Sequence, residues 1–273
     1  MKIITLIENT EGRPGCRTEH GLSFYVEAEK HRLLADTGAS GAFLENARLL
    51  GVDMKNVDTV VLSHGHYDHA GGVLDFVKQN PEARIYLQRQ AEEPYYHVRK
   101  EGRKYIGMAP EIRELPQCIP LDGDFRIDEE LFLFSGIRGR KFWPEGNREL
   151  KRLKDGALVQ DTFAHEQCLV ITEKDRRILI SGCAHNGILN ILERFRELFH
   201  AWPDAVLSGF HMKQEGAFSP EQEYIIRETA ETLKEMGMPC FTGHCTGEHA
   251  YRLMKNIMGE QLQALGSGRE IRI

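Results

Sequence analysis

The hydrophobic positions of this chain fall mostly in short runs broken by polar turns, with a few longer segments at helical spacing. KIITLI (2–7) reads as a strand. FYVEA and HRLLAD, joined by a polar turn at Glu29–Lys30, predict a hairpin. Residues 40–50 place Phe43, Leu44, Ala47 and Leu50 on one helical face, with Gly51 as the stop. DTVVLS (58–63) is a β-branched run that suits a strand buried on both faces. A helix over 72–79 stops before Pro81, and ARIYL (83–87) reads as the next strand.

The later half repeats this manner. CLVITE (168–173) and RILISG (177–182) flank the turn KDR and predict a second hairpin. Residues 187–200 carry Ile188, Ile191, Leu192, Phe195 and Leu198 on one helical face. DAVLSGF (204–210) reads as a strand. Ser219 and Pro220 open a helix in the preferred cap and first-turn positions, and it runs to Gly237. PCFTG (239–243) is a strand, Glu248–Met258 a helix, and the last residues a final strand. Strands followed by strands alternating with helices, twice over, predict an α/β fold of two sheets sandwiched between helices. The middle, roughly 88–155, breaks the rhythm with Pro94, Pro110, Pro116, Pro120 and Pro144, and reads as an insertion over the mouth of a site within a single 1–273 domain.

Composition changes the picture in three ways. The formal net charge of -6 disfavours a nucleic-acid partner, because phosphate neutralisation calls for a basic face. No apolar run approaches the roughly 20 residues of a membrane span, and MKIITLIENT lacks a long apolar region with a small-residue cleavage site. The six cysteines form no C-x-x-C pair and are spread over a chain too large to need disulfide staples. Reduced thiols in the cytoplasm are therefore expected.

The chemistry concentrates in SHGHYDHAGG (63–72), directly after the strand VVLS. In an extended loop His64 and His66 point the same way, as residues i and i+2 do. They can share one metal, while Asp68 and His69, beyond a turn, can face a second. Imidazoles and a carboxylate suit one or two divalent ions, with zinc first and iron or manganese as alternatives. Four residues cannot complete two sites, so further ligands must come from other strand ends. His185 follows RILISG, His211 follows VLSGF, and His244 follows CFTG. His165, in FAHEQ, is a weaker candidate. Asp68 beside a water could orient it or accept its proton. The basic run 97–104 offers Arg99, Arg103 and Lys104 to an anionic small-molecule substrate, or else is a solvated face.

The H-x-H-x-D-H pattern in HGHYDH resembles the signature of the metallo-β-lactamase fold superfamily. EHGLSFYVE, LLADTG, KYIGM, SGCAHNGILNIL, SGFHM, TGHCTG and GSGREI together resemble one branch of it. Archaeal members of that branch carry the name 7,8-dihydropterin-6-methyl-4-(β-D-ribofuranosyl)aminobenzene-5′-phosphate synthase. The resemblance implies an αββα sandwich with a dinuclear metal site at one edge. His64 and His66 would bind one metal, Asp68 and His69 the other, and His244 matches the last ligand motif. Where many members place a bridging aspartate after a glycine, this chain has Gly182–Cys183, with His185 two residues on. Either Cys183 supplies a thiolate in place of the carboxylate, or His185 is the ligand while Cys183 packs; His185 is the favoured reading. The implied activity is a metal-dependent hydrolase type, acting through a metal-activated water on a small phosphorylated molecule. The alternatives are a pterin-linked transferase and a non-catalytic metal-bound sensor. Fold alone does not fix substrate, and β-lactams are not expected. Oligomeric state is not legible.

Overall fold

Strands that are apolar on both faces need cover on both faces. The computed structural model, which describes residues 1–273, supplies it in four layers. In chain order the strands are β1 (Lys2–Ile7), β2 (Ser23–Glu27), β3 (Arg32–Ala35), β4 (Thr59–Val61), β5 (Arg84–Gln88), β6 (Tyr95–Arg99), β7 (Gly102–Tyr105), β8 (Cys118–Leu121) and β9 (Phe125–Arg126). They continue as β10 (Leu131–Phe134), β11 (Leu150–Lys154), β12 (Ala157–Gln160), β13 (Cys168–Glu173), β14 (Arg176–Ile180), β15 (Ala205–Leu207), β16 (Cys240–Thr242), β17 (Leu262–Ala264) and β18 (Glu270–Arg272). The helices are α1 (Ala42–Leu49), α2 (Tyr67–Ala70), α3 (Val73–Gln79), α4 (Ile188–Phe199), α5 (Pro220–Met236) and α6 (Glu248–Met258).

One seven-stranded sheet runs β18-β1-β2-β3-β4-β5-β8 and the other β17-β16-β15-β14-β13-β10-β9. Alternate residues of one strand serve different layers. Leu33 and Ala35 join a core shared by both sheets, whereas Leu34 joins the core under α1 and α3. Likewise Ile178 and Ile180 face the first sheet, and Leu179 lies under α4, α5 and α6. This is the expected αββα sandwich. The helix signals also act as read: Ser219 and Gln222 form a reciprocal capping box, Pro220 opens α5, and Gly237 ends it in a left-handed conformation.

Two expectations need correction. DAVLSGF forms a strand only over Ala205–Leu207; Ser208 and Gly209 still donate to Phe241 O and Gly182 O (3.0 and 2.8 Å), then Phe210 N–H donates to Thr246 Oγ1 (2.9 Å) and His211 turns left-handed at φ 47°. The stretch 88–155 is also not one insertion. β8 returns to the first sheet and β9–β10 to the second, and only β6–β7 and β11–β12 form a separate four-stranded sheet. The physical reason lies in LFLF: Leu131 and Leu133 enter the inter-sheet core and Phe134 the outer one, so the segment is apolar on both faces and cannot stay outside.

Within each main sheet a parallel block, β3-β4-β5-β8 and β14-β15-β16-β17, sends its carboxyl ends to one edge. There the sheets are stitched by a buried glutamine. Gln167 N–H donates to Ser63 O (2.8 Å) and its Nε2 to Leu62 O and Tyr86 O (2.9 and 3.1 Å). Gly182, just past β14, closes the seam: a Cβ there would meet Ser63 Oγ at 2.1 Å. Gly182→Ala is expected to lower the stability of the metal-free protein by roughly 1–3 kcal/mol through overpacking, measured as a shift in denaturant midpoint. Because Ser63 would have to move, bound metal should fall as well.

Candidate metal centre

Three imidazoles meet at the edge where the strand ends converge. His64 and His66 come from the loop after β4, and His185 from the loop after β14. Their ring centroids are 4.6, 4.9 and 4.8 Å apart pairwise. All three rings are buried, and the Nε2 atom of each has no hydrogen-bond partner. A buried polar atom left unpaired costs about 1–3 kcal/mol, so three together demand an explanation. The other nitrogen of two of the rings supplies it. His185 Nδ1 pairs with Asn147 Oδ1 (3.0 Å), and His64 Nδ1 with Ser63 Oγ (2.8 Å). Ser63 has one hydroxyl proton and gives it to Asp36 Oδ2 (2.7 Å), so His64 must donate at Nδ1. Amide oxygen and hydroxyl thus fix the tautomers that leave Nε2 lone pairs facing inward, as metal-ligating histidines require.

Beside this trio lies a second donor set. Asp68 and His69 sit on the single turn of α2, and His244 follows β16. Asp68 Oδ2 is 3.3 Å from His244 Nε2 and 3.9 Å from His69 Nε2. His69 Nε2 is 3.2 Å from His244 Nε2 and 3.1 Å from Cys183 Sγ. Ligands at about 2.0–2.3 Å around a tetrahedral zinc stand about 3.3–3.7 Å from one another. The four donors therefore already lie near the spacing such an ion needs. Cys183 also groups with His64 and His185, all ligand atoms lying within 4.8 Å of one another. It is the residue common to both sets. The residues present could hold a divalent ion in either set, His64, His66 and His185 or Asp68, His69 and His244, with Cys183 grouped with members of both.

The electrostatics are those of a site prepared for cations. Burial first, then neighbouring imidazoles, hold His64 and His185 well below the usual histidine range, and burial with His165 pushes His66 down to about 3. These three are neutral and ready to ligate. His69 behaves oppositely. Burial opposes its charge, but Asp36 and Asp68 hold it up to about 9, so in the metal-free protein it carries a proton between two carboxylates. Asp68 is itself held well below the carboxylate range, with His69 and His244 outweighing the cost of burial. Burial raises the Cys183 thiol. Five residues around the centre adopt left-handed backbone conformations that non-glycine residues rarely take: Asp36, Phe163, Ala184, His211 and His244.

The structure sorts the remaining candidates. His165 is buried, but both its nitrogens are spoken for: Nδ1 accepts from Gly65 N–H and Nε2 pairs with Asp161 Oδ2, each at 3.0 Å. It supports the loop, and with His66 and Asp161 it forms a further donor group whose ligand atoms lie within 4.8 Å of one another. His211 is half-buried, its ring 4.1 Å from that of His185, and groups with Cys183 and Cys245 within 4.8 Å. Arg99 points into an exposed ion pair with Glu149 and Glu215. Arg103 lies over the Tyr96 ring, and Lys104 over that of Tyr67, which neighbours His66 and Asp68. Sequence reasoning missed Asp36, which takes His69 Nδ1 at 2.6 Å, Asn9, which takes His244 Nδ1 at 2.9 Å, and His20, which stacks on His244 and reaches Asp68 Oδ2 at 3.4 Å. Asp36 follows β3, a parallel neighbour of β4, so the strand-end logic that found His185 and His244 would have found it too.

A sequence model of the family described as the metallo-beta-lactamase superfamily matches residues 17–236. The chain belongs to this superfamily. Across its whole length it is 28% identical to the 7,8-dihydropterin-6-methyl-4-(beta-D-ribofuranosyl)-aminobenzene-5'-phosphate synthase of Methanocaldococcus jannaschii, covering 96% of that protein. It is 36% identical to a hydroxyacylglutathione hydrolase of Aeromonas salmonicida over 53% of this chain and 60% of that one. Among solved structures, Tm1679, described as a metal-dependent hydrolase of the beta-lactamase superfamily, superposes with a TM-score of 0.84 at 30% identity, covering 100% of this chain and 99% of that one. The superfamily fold read from HGHYDH thus stands, and so does the likeness to the synthase branch.

Two outcomes follow from the geometry. His69 is raised from its ordinary 6.5 to about 9, so its salt-bridged proton stabilises the metal-free fold fully below about 6.5 and is lost as pH rises through about 9. A metal must displace that proton. Zinc affinity, measured by competition with a chelating dye, should rise between pH 6.5 and 8.5 by roughly tenfold per pH unit for each proton displaced. An affinity flat between pH 6.5 and 8.5 would contradict this. Asp36→Asn should weaken zinc binding by roughly 10–100-fold, because it loosens both His69 and Ser63, with little change in the circular dichroism of the fold.

Proposed function

We propose that the chain is a metal-dependent enzyme of the hydrolase type, acting on a small, anionic, phosphorylated substrate. The observation that carries this reading is the pair of adjacent donor sets joined at Cys183, with three inward nitrogens left without protein partners. Nitrogen and sulfur donors favour zinc, with iron as the next choice. Two such ions, when bound, would lower the pKa of a water toward about 7 and stabilise charge on phosphoryl oxygens.

The chain's own groups supply the rest. Asp68 lies at the open side of the centre, next to the half-exposed ring of His20. Its carboxylate stays ionised, so it can accept a hydrogen bond from a water and orient it. Lys104, over Tyr67, is the basic-run residue best placed to meet an anion at this mouth; Arg99 would first have to leave its two glutamates. No helix is long and apolar enough to cross a membrane, and six free cysteines support a reducing, cytoplasmic setting. A nucleic-acid substrate is not proposed, given the net charge of -6.

The full-length likeness to the archaeal synthase favours a second reading, a transferase that releases an anionic leaving group at the same centre. Zinc-loaded protein should cleave bis(4-nitrophenyl) phosphate or 4-nitrophenyl phosphate. His66→Ala and Asp68→Asn should each reduce kcat/KM by about 100-fold or more. Stoichiometric zinc uptake without turnover of either ester would overturn the hydrolase reading and leave the transferase or a binding protein.

A further inference from the structure

One donor group shares a single sulfur with the two sets of the centre and otherwise stands outside them. Its members are Cys183, His211 and Cys245, whose ligand atoms lie within 4.8 Å of one another. β14, β15 and β16 run side by side and parallel in the second sheet. Each gives one member from the loop at its carboxyl end: Cys183 follows β14, His211 follows β15 and Cys245 follows β16. None of the other four cysteines joins such a group.

The orientation of His211 is set from one side. A Cβ on Gly146 would meet His211 Nε2 at 3.4 Å and Cδ2 at 3.7 Å, so that edge of the ring faces Gly146. Nδ1, opposite that edge, points the other way, and it is buried with no hydrogen-bond partner. Such a nitrogen carries a desolvation cost that a bound cation would remove. Both sulfurs are buried. Cys245 Sγ accepts the His211 main-chain N–H at 3.3 Å and lies 3.5 Å from Cys183 O. Gly209 makes room for it, because a Cβ there would meet Cys245 Sγ at 2.4 Å. The backbone is left-handed at His211 (φ 47°) and beside each cysteine, at Ala184 (φ 53°) and His244 (φ 50°), so packing over-determines all three loops.

We propose that Cys183, His211 and Cys245 form a further metal site, for a thiophilic d10 cation such as zinc or copper(I). Thiolates select such ions over magnesium, calcium or manganese. On binding, each thiol gives its proton to solvent and its sulfur lone pair to the ion, and no electron is transferred. Two thiolates cancel the charge of a divalent ion, which suits a buried position. The site goes beyond the hydrolase reading, since it needs neither water nor substrate. Its link to the centre is Cys183, which also groups with His64 and His185 and with His69 and His244. An ion held here sets that sulfur as a thiolate facing both sets.

The probe is cadmium(II), a softer relative of zinc, added to reduced, metal-free, full-length protein. Saturation should give a sulfur-to-cadmium charge-transfer band from two thiolates. Cys245→Ser should lower that band by about half, and Cys183→Ser should lower it without abolishing it, because only thiolates contribute. His211→Asn keeps a residue that tolerates the left-handed backbone while removing the imidazole. A chelator should then strip the sulfur-bound cadmium roughly tenfold more easily or better. An unchanged band in Cys245→Ser, or its complete loss in Cys183→Ser, would leave Cys183 as the sole sulfur ligand and overturn the proposal. Unchanged cadmium affinity in His211→Asn would overturn it too. Should Cys245→Ser not fold, Cys183→Ser decides the number of sulfur ligands alone. Failure of the hydrolase reading looks different, because the phosphoesters would go uncleaved while the two-sulfur band persisted.

Discussion

The centre depends on one constraint: each ligating ring whose outer nitrogen is paired is tied by that nitrogen to a fixed protein acceptor. His69 is tied to Asp36, His64 to Ser63, His185 to Asn147 and His244 to Asn9. The inner nitrogens then have nowhere to turn. In the metal-free protein His69 and His244 present Nε2 atoms 3.2 Å apart, a separation that two bare lone pairs would oppose. The proton that Asp36 and Asp68 hold on His69 resolves it, because that ring can donate to His244. A proton stands where a cation belongs. Metal binding exchanges one positive charge for a larger one in a cradle that need not move.

That cradle is fixed because it is assembled from strand ends. The loops after β3, β4, β14, β15 and β16 contribute Asp36, His64 with His66, Cys183 with His185, His211, and His244. Parallel strands in register deliver these loops to one edge, and Gly182 and Gln167 pin the two sheets together there. The backbone is held in unfavourable conformations at Asp36, Ala184, His211 and His244. Such strain persists only where surrounding packing over-determines it. Here the two apolar cores under the helices and the third between the sheets supply that packing, and the result is donor positions set before any ion arrives.

Much of this was legible in the sequence, and the limits have physical causes. Short two-faced apolar runs gave the sandwich, and histidines placed just past them gave His185 and His244. The donors that orient the ligands were not legible, because Asn9, Asn147 and Ser63 are ordinary polar residues until tertiary contact pairs them with an imidazole. His165 sits before a strand, and its ties to Asp161 and the Gly65 amide were equally illegible. The small sheet was hidden because β6–β7 and β11–β12 are half-exposed and polar, and the chain between Tyr105 and Leu150 first returns to both main sheets. Hydrophobic period cannot report pairing between segments so separated.

Cys183 and His185 were alternatives for one role in the sequence, and the structure places them at different points of the centre. His185 completes the trio with His64 and His66, its lone pair fixed by Asn147. Cys183 lies between that trio and the His69–His244 pair, where superfamily members commonly place a carboxylate. A carboxylate can span two ions with two oxygens; a Cys183 thiolate, if it held both, would offer them a single soft, polarisable atom. Burial keeps the free thiol protonated, so the sulfur becomes a ligand only when a cation is present to take the proton's place. An ion in either donor set would therefore deprotonate Cys183 and present a charged sulfur to the other, which makes occupancy of the two sets interdependent. Manganese and magnesium, which prefer oxygen, gain least from such an atom, and zinc gains most.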